Sequence, residues 1–375
     1  MLKKYDVCFV CCNYIKNDAR TLNLANTLVD LGKSVLVICL KDSPGLKFKF
    51  EILEVPVSLE GRLYKNLFKF TQYIRQNFRN IKSEFFVASE LYSLAAARLL
   101  QKGTSGKLIY DSREIFSALG NTYNHPIKQL FFTYLEKLLI NKVDSVIVSG
   151  RLDAEYLQNY FKKHFEYFLI MNLPFKKEIM SSDKIRRTFN IDSNVKIILY
   201  QGLIISGRGI EPAIRAMKYL VGYALCIMGD GGSELIDYYR NLVRELDLSH
   251  KVFFKSFVPY NELHEWTCSA DIGLALFEPV SLSYKLALPN KLFEYAMAGL
   301  PSISTNLPAI KEINDGIFFT ELIEYPFDDN TIAGTIKKVN QTEIYSNYRK
   351  NAISASKIYN YETQINTIKR IFDTK

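Results

Sequence analysis

The chain has 375 residues, 48% of them apolar, which is enough for two full-cored domains and too apolar for a disordered polymer. Its longest apolar runs, such as Ser34–Leu40 and Val195–Tyr200, are strand-sized, short of the ~20 residues that a spanning helix needs. The net charge of +9 is uneven: residues 1–180 hold 26 Lys+Arg against 17 Asp+Glu, while residues 181–375 hold 22 of each. That asymmetry suggests that one domain meets an anionic surface.

In chain order, Met1-Leu2-Lys3-Lys4-Tyr5-Asp6 leads into only a short apolar run. This is unlike a secretory leader, so a cytoplasmic protein is expected. Tyr5–Cys12 reads as a strand, and Asp18–Leu31 as a helix with Leu22, Leu24, Ala25 and Leu28 inward and Gly32 as its stop. Strand Ser34–Leu40 and a basic helix follow, then strand Phe85–Ala88, a helix through Leu100, strand Lys107–Tyr110, a helix near Ile127–Ile140 and strand Ser145–Ser149. Strand Tyr167–Met171 ends at Asn172-Leu173-Pro174, before a charged connector, Lys176–Arg187.

The pattern then restarts. Val195–Tyr200, Tyr223–Met228, Val252–Phe254 and Ile272–Phe277 read as strands, alternating with helices Gly209–Tyr219, Ser233–Leu246 and Asn261–Ala270. Pro289–Pro301 encodes a short helix with Leu292, Phe293, Tyr295, Met297 and Ala298 on its buried side, stopped by Gly299-Leu300-Pro301. Ser302–Thr305 is a strand, and Tyr359–Phe372 a last helix. Such βα alternation predicts an α/β chain of two Rossmann-like, doubly wound domains facing across a cleft. The expected bounds are 1–175, 176–355, and a terminal helix, 356–375, packing back on the first domain. Cys8, Cys11, Cys12, Cys39, Cys226 and Cys268 mostly fall in strand-like segments. Cys8-x-x-Cys11-Cys12 is also compatible with a metal or redox site, but with no second Cys or His pair spaced to complete a zinc site they read as buried thiols, and no metal is expected.

Three segments carry chemistry. Tyr200-Gln201-Gly202 ends a strand ahead of Ser206-Gly207-Arg208-Gly209, and glycines there let the backbone approach a phosphate. Arg208 adds a positive fork suited to a diphosphate. Met228-Gly229-Asp230-Gly231 repeats the strand-then-glycine device. Taken singly, each is also compatible with a plain turn. In the third segment Asn290, Lys291 and Glu294 share a helix face, so Lys291 can meet phosphate while Glu294 accepts ribose hydroxyls. The alternative is a capping and salt-bridge cluster.

Together with Ala270-Asp271-Ile272-Gly273-Leu274, these segments resemble the C-terminal domain of glycosyltransferase family 4, which has the GT-B fold. Asn17-Asp18-Ala19-Arg20, Tyr110-Asp111-Ser112-Arg113-Glu114 and Asn172-Leu173-Pro174 are similar to that family's opening, its Asp-x-His-Glu segment and its hinge. The resemblance implies retaining, metal-independent transfer of a hexosyl unit from a nucleotide diphosphate sugar, such as a UDP-sugar, with no cofactor. It implies that Arg208 stabilises the leaving diphosphate and that Glu294 binds ribose, and Lys291 is the candidate to supply the charge missing at Leu203. Gly202, Gly209, Gly229, Asp230, Gly231 and Asn290 complete the nucleotide site. Asp18, Asp111, Arg113 and Glu114 are candidates to position the acceptor, although each carboxylate is also a possible cap or solvated group. The family's first glutamate is replaced by Leu286, the Arg after its first glycine by Leu203, and its usual His by Arg113. Arg113 stays protonated and is no proton shuttle.

Residues 62–82 carry Arg62, Lys65, Lys69, Arg75, Arg79 and Lys82 and no acid. On a helix, Leu63, Leu67, Phe70, Ile74, Phe78 and Ile81 form one stripe, leaving the basic residues, Tyr64 and Phe68 outward. That face suits an anionic membrane, although a merely solvated face is the simpler alternative. Leu130–Leu139 extends it with Phe131, Phe132 and Tyr134. No nucleic-acid module is visible, so no nucleic-acid partner is expected. The expected function is transfer of a sugar to a lipid-linked or saccharide acceptor in surface polysaccharide synthesis, peripheral on the inner face of the membrane. A sugar-nucleotide epimerase of the same fold, or a non-catalytic nucleotide-sugar-binding protein, is the alternative.

Overall fold

Apolar runs rich in Val, Ile and Phe, each closed by a polar or glycine turn, form parallel strands buried on both faces. The computed structural model describes residues 4–41, 47–58, 63–116 and 126–373. Contacts divide the chain into two compact units: Met1–Asn172 with Gln364–Lys375, and Leu173–Thr363.

In the first unit the chain runs β1 (Lys4–Cys11), α1 (Ala19–Asp30), β2 (Val35–Leu40), β3 (Glu51–Val55), α2 (Leu63–Asn77) and β4 (Lys82–Ser89). It continues through α3 (Leu91–Gln101), β5 (Lys107–Ser112), α4 (Pro126–Ile140), β6 (Ser145–Val148), α5 (Arg151–Phe161) and β7 (Glu166–Leu169). The parallel sheet has the order β3-β2-β1-β4-β5-β6-β7, with Val7 opposite Val35 on one side and Phe85 on the other. Strand order reverses between β1 and β4. Right-handed crossovers therefore put α1 on one face and α2 to α5 on the other, opening a crevice at the carboxyl ends of β1 and β4.

Three expectations change here. Thr21, rather than Leu22, is buried on α1. The basic helix stops at Asn77, so Arg79 lies beyond it and Lys82 begins β4. Phe132 is buried beside Tyr92 and Phe116, not on the surface. Leu67, Phe70 and Ile74 are buried, and Lys65, Lys69, Arg75, Tyr64 and Phe68 are exposed. Met1 to Lys3, Arg62 and the side chain of Leu63 lie outside the described residues.

The second unit runs α6 (Lys184–Phe189), β8 (Lys196–Gln201), α7 (Ile210–Ala216), β9 (Tyr223–Met228), α8 (Ser233–Glu245), β10 (Val252–Lys255), α9 (Tyr260–Cys268) and β11 (Ile272–Ala275). After these come α10 (Leu282–Lys285), α11 (Asn290–Met297), β12 (Ser302–Thr305), α12 (Pro308–Asn314), β13 (Thr320–Ile323), α13 (Asp329–Val339) and α14 (Thr342–Ile358). Its sheet has the order β10-β9-β8-β11-β12-β13, all parallel, and reverses between β8 and β11. The last helix, α15 (Ile365–Phe372), belongs to the first unit, where Phe372 meets Phe85 edge-on at 5.4 Å and Phe9 at 6.5 Å.

Candidate functional site

In the second unit the candidate residues gather where strand order reverses, at the carboxyl ends of β8, β9 and β11. Gly202 ends β8 with φ 120°, which a side chain rarely adopts, and the Tyr200 hydroxyl donates to Leu203 O across the turn. Gly229, at the end of β9, packs directly beneath it: a Cβ there would sit 1.8 Å from Gly202 O. Gly231 presses likewise on Ile204 O, at 2.0 Å. Backbone contact between two turns is therefore what demands glycine at these two positions. Gly209, at φ 64°, precedes α7 and lies against Leu276, while Asp230 is exposed.

Helix α11 points its first turn at these glycines. Pro289 precedes it without a side-chain cap, so no side chain fills its first N–H groups, although Leu292 N donates back to Pro289 O at 3.1 Å, and Asn290 is exposed. Gly299, at φ 61°, stops it. Tyr295 anchors the helix beneath the sheet, its hydroxyl 3.1 Å from Leu199 O and 3.0 Å from Leu274 O. Gly273 makes room for that ring, since a Cβ there would be 2.6 Å from it.

Two cations meet here. Lys291 is 8% exposed, and its ammonium lies 3.6 Å from the centroid of the Tyr200 ring and 5.8 Å from that of Phe277. The Arg208 guanidinium stacks between Phe277 and Tyr284, at 4.3 and 4.7 Å, and its buried Nε has no partner among the described residues. Burial, then repulsion from Arg208, pushes the Lys291 ammonium well below its usual range, with Glu294 opposing. Rings hold these charges by cation–π attraction, leaving their hydrogen-bonding capacity for an anion. A side chain at Gly202 would come within 3.5 Å of the Lys291 ammonium, so the glycine turn and the cations border the same space.

Glu294, one turn further along α11, accepts from Gln201 Nε2 at 2.5 Å, and Gln201 Oε1 accepts from Thr267 at 2.9 Å. Burial raises the Glu294 carboxyl, against Gln201, Lys291 and Lys177. Gln201 and Thr267 were not candidates from sequence, because their link to Glu294 joins β8, α9 and α11. Leu286 caps the short α10, and Leu203 is exposed.

The other four candidates lie in the first unit, on the carboxyl ends of β1 and β5. Asp18 caps α1 and is saturated: Oδ1 accepts from Thr21 N and Arg113 Nη1, and Oδ2 from Thr21 Oγ1 and Asn13 Nδ2. Asp111, 1% exposed, is filled by Arg20 and by Arg113 Nε. Arg20 also donates to Ile170 O and Asn172 Oδ1, tying the chain after β7 to α1. Burial alone would raise both aspartates, but Arg113 for Asp18, and Arg20 with Arg113 for Asp111, hold them below the usual range. Glu114 is exposed. Glu90, between β4 and α3, joins the cluster through Arg113 at 3.9 Å and was missed from sequence.

Comparison with known proteins bears on the fold and on the second unit. Residues 181–358 match the model of a family described as Glycosyl transferases group 1. An uncharacterized glycosyltransferase of Methanocaldococcus jannaschii is 28% identical over 176 residues, 45% of this chain. The match spans only 41% of that relative's own length. Among solved structures, sucrose-phosphate synthase from Thermosynechococcus elongatus has a TM-score of 0.82 at 16% identity, covering 98% of each chain. WaaG, a glycosyltransferase involved in lipopolysaccharide biosynthesis, gives 0.72 at 15%, covering 98% of this chain and 100% of that one. HepE of Anabaena, in complex with UDP-glucose, gives 0.73 at 13%, covering 97% and 98%. The fold is thus GT-B, two Rossmann-like units each built on a parallel sheet.

Proposed function

We propose that the chain is a glycosyltransferase of the family 4 type, retaining and metal-independent, which moves a hexosyl unit from a UDP-sugar to a saccharide or lipid-linked acceptor in surface polysaccharide synthesis. The observation that carries the reading is the pair Arg208 and Lys291, two cations held on aromatic rings beside the Gly202 turn. A diphosphate supplies the negative charge they lack. In the transfer, the bond from the anomeric carbon to the diphosphate oxygen breaks and the diphosphate leaves with its electron pair. The acceptor oxygen bonds to that carbon, and its proton passes to an oxygen of the departing diphosphate. Arg208, Lys291 and the open amides of α11 stabilise the charge that grows on the leaving group. Glu294, oriented by Gln201, binds the ribose hydroxyls. Asp18 and Asp111 act by holding Arg113 in place at the acceptor side. The family match over residues 181–358 and the complexes of HepE with UDP and UDP-glucose support a UDP-sugar donor.

A peripheral position on an anionic membrane, at its inner face, is part of the same reading. Helix α2 exposes Lys65, Lys69 and Arg75, and α4 exposes Ile127, Leu130, Phe131, Tyr134 and Leu138 along one stripe. Among the described residues no helix is long and apolar enough to cross a membrane.

The test is a panel of nucleotide sugars, read first by thermal stabilisation and then by release of nucleoside diphosphate. One UDP-sugar should raise the melting temperature, because ligand binds only the folded state. Its turnover should vanish in Glu294→Ala and Arg208→Ala. A folded protein stabilised by none of the panel would refute the reading.

A further inference from the structure

The crevice of the first sheet holds three carboxylates, Asp18, Glu90 and Asp111, against two guanidiniums, Arg20 and Arg113. The two aspartates and the two arginines spend their polar atoms on one another and on neighbouring backbone and side chains, as described above. Glu90 does not. Its closest cation, Arg113 Nη1, is 3.9 Å away, beyond hydrogen-bond length, and the pair is only an ion contact. Among the described residues its carboxylate accepts no hydrogen bond, and its side chain is 30% exposed. It follows β4 immediately, next to the point where strand order reverses and ligands of such sheets bind.

The backbone at Glu90 adds a second observation. It stands at φ 66°, ψ 168°, a region that is essentially glycine's. Glu90 N donates to Asp111 O, and Glu90 O accepts from Ser93 N, so the strained conformation is fixed from both sides. A residue kept at a glycine position, with the one unspent carboxylate of the cluster, is placed for something other than stability.

Resting on the glycosyltransferase reading above, we propose that Glu90 is the acceptor-binding carboxylate of the first unit. It receives the hydrogen bond of a neutral hydroxyl group. The charges select that chemistry. Above the pH at which Glu90 ionises, Asp18, Glu90 and Asp111 bring three negative charges against the two of Arg20 and Arg113, an excess of one, which the exposed Glu114 increases. A phosphate or carboxylate at this end of the acceptor is repelled, and an uncharged saccharide is accepted.

The environment also sets a pH response. Burial raises the Glu90 carboxyl to about 7; Arg113 opposes this, while Glu114, Asp18 and Asp111 add to it. The other titratable neighbours are Tyr92 on α3 and Cys12 after β1, both raised to about 12 by burial and so neutral throughout. The ionised form of Glu90 binds a hydroxyl more strongly than the acid, so use of the acceptor should fall as pH drops through about 7.

The experiment uses the full chain, the UDP-sugar found by thermal shift, and two acceptor probes: n-octyl β-D-glucopyranoside and the same glycoside carrying a 6-phosphate. If no nucleotide sugar binds, it is the glycosyltransferase reading that fails. With a donor in hand, release of UDP should rise with the neutral probe and not with the phosphorylated one. Glu90→Gln should lower kcat/KM for the neutral probe by about tenfold or more, the worth of a charge-assisted hydrogen bond. It should also abolish the acid limb of the profile, with donor-induced stabilisation unchanged. Glu90→Gly serves as the folding control: it should melt no lower than the parent and still lose use of the acceptor. Turnover indifferent to Glu90, preference for the phosphorylated probe, or no turnover with the neutral one overturns the proposal.

Discussion

Replacing Lys291 by Met keeps the length and apolar stem of the side chain and removes its charge. In the free chain that ammonium is 8% exposed, faces the Tyr200 ring and is repelled by Arg208. Its folded pKa is lowered, so the unfolded chain binds this proton more tightly. Lys291 therefore destabilises the fold while charged, and the penalty fades as pH rises towards its ordinary 10.5. Bound diphosphate reverses the balance. One phosphate charge at ~4 Å attracts the ammonium by about 4 kcal/mol at an effective dielectric of about 20. After desolvation, a net ~1.5–3 kcal/mol remains for a charge-assisted hydrogen bond. Lys291→Met should then weaken UDP about 10- to 150-fold in a calorimetric titration. Without ligand the variant should melt about 2–4 °C higher for each 1 kcal/mol of relieved burial cost. Unchanged UDP affinity, or a lower melting point without ligand, would refute the idea that this charge waits for an anion.

Gly229→Ala drives a Cβ to within 1.8 Å of Gly202 O at φ 153°, so both glycine turns must shift. A loss of at least ~2 kcal/mol and of UDP binding is expected in calorimetric melts. Glu136 is buried and bonded to the Tyr110 hydroxyl at 2.8 Å, and burial raises its carboxyl to about 7. Because that pKa is raised above the ordinary 4.5, its contribution is complete below about 4.5 and is lost as pH rises through about 7. Glu136→Gln should flatten that slope and gain up to ~3 kcal/mol above pH 7 in urea titrations, and an unchanged slope counts against it. Asp111→Asn leaves Arg20 and Arg113 without their shared buried carboxylate and should cost about 3–5 kcal/mol in urea unfolding. A loss under ~1 kcal/mol would mean that solvent screens the trio.

Where a strand is a continuous apolar run closed by glycine or a polar turn, the sequence was legible to the residue, as at Tyr223–Met228 and Ser302–Thr305. Strand β3 escaped because Glu51 and Glu54 leave only Val55 buried at this edge. Helix α4 is apolar on both sides. Periodicity therefore could not tell inward Phe132 from outward Phe131, and only packing on Tyr92 and Phe116 decides. In the second unit the Gly202 turn, Arg208, Lys291 and Glu294 were readable, because glycine spacing and a helix start are local signals. Gln201 and Thr267 were not, since their partners lie 66 and 93 positions away. Glu90 was least visible of all: a positive φ leaves no mark on a glutamate in sequence, and its bonds run to β5.

The most direct test of the central claim is transfer itself, followed with a UDP-sugar radiolabelled in the sugar and with membranes as the acceptor source. Label should pass into an acceptor product with one UDP released per sugar, and none should in Arg208→Ala. A folded chain that leaves every labelled donor intact, or transfers equally well without Arg208, would contradict that claim.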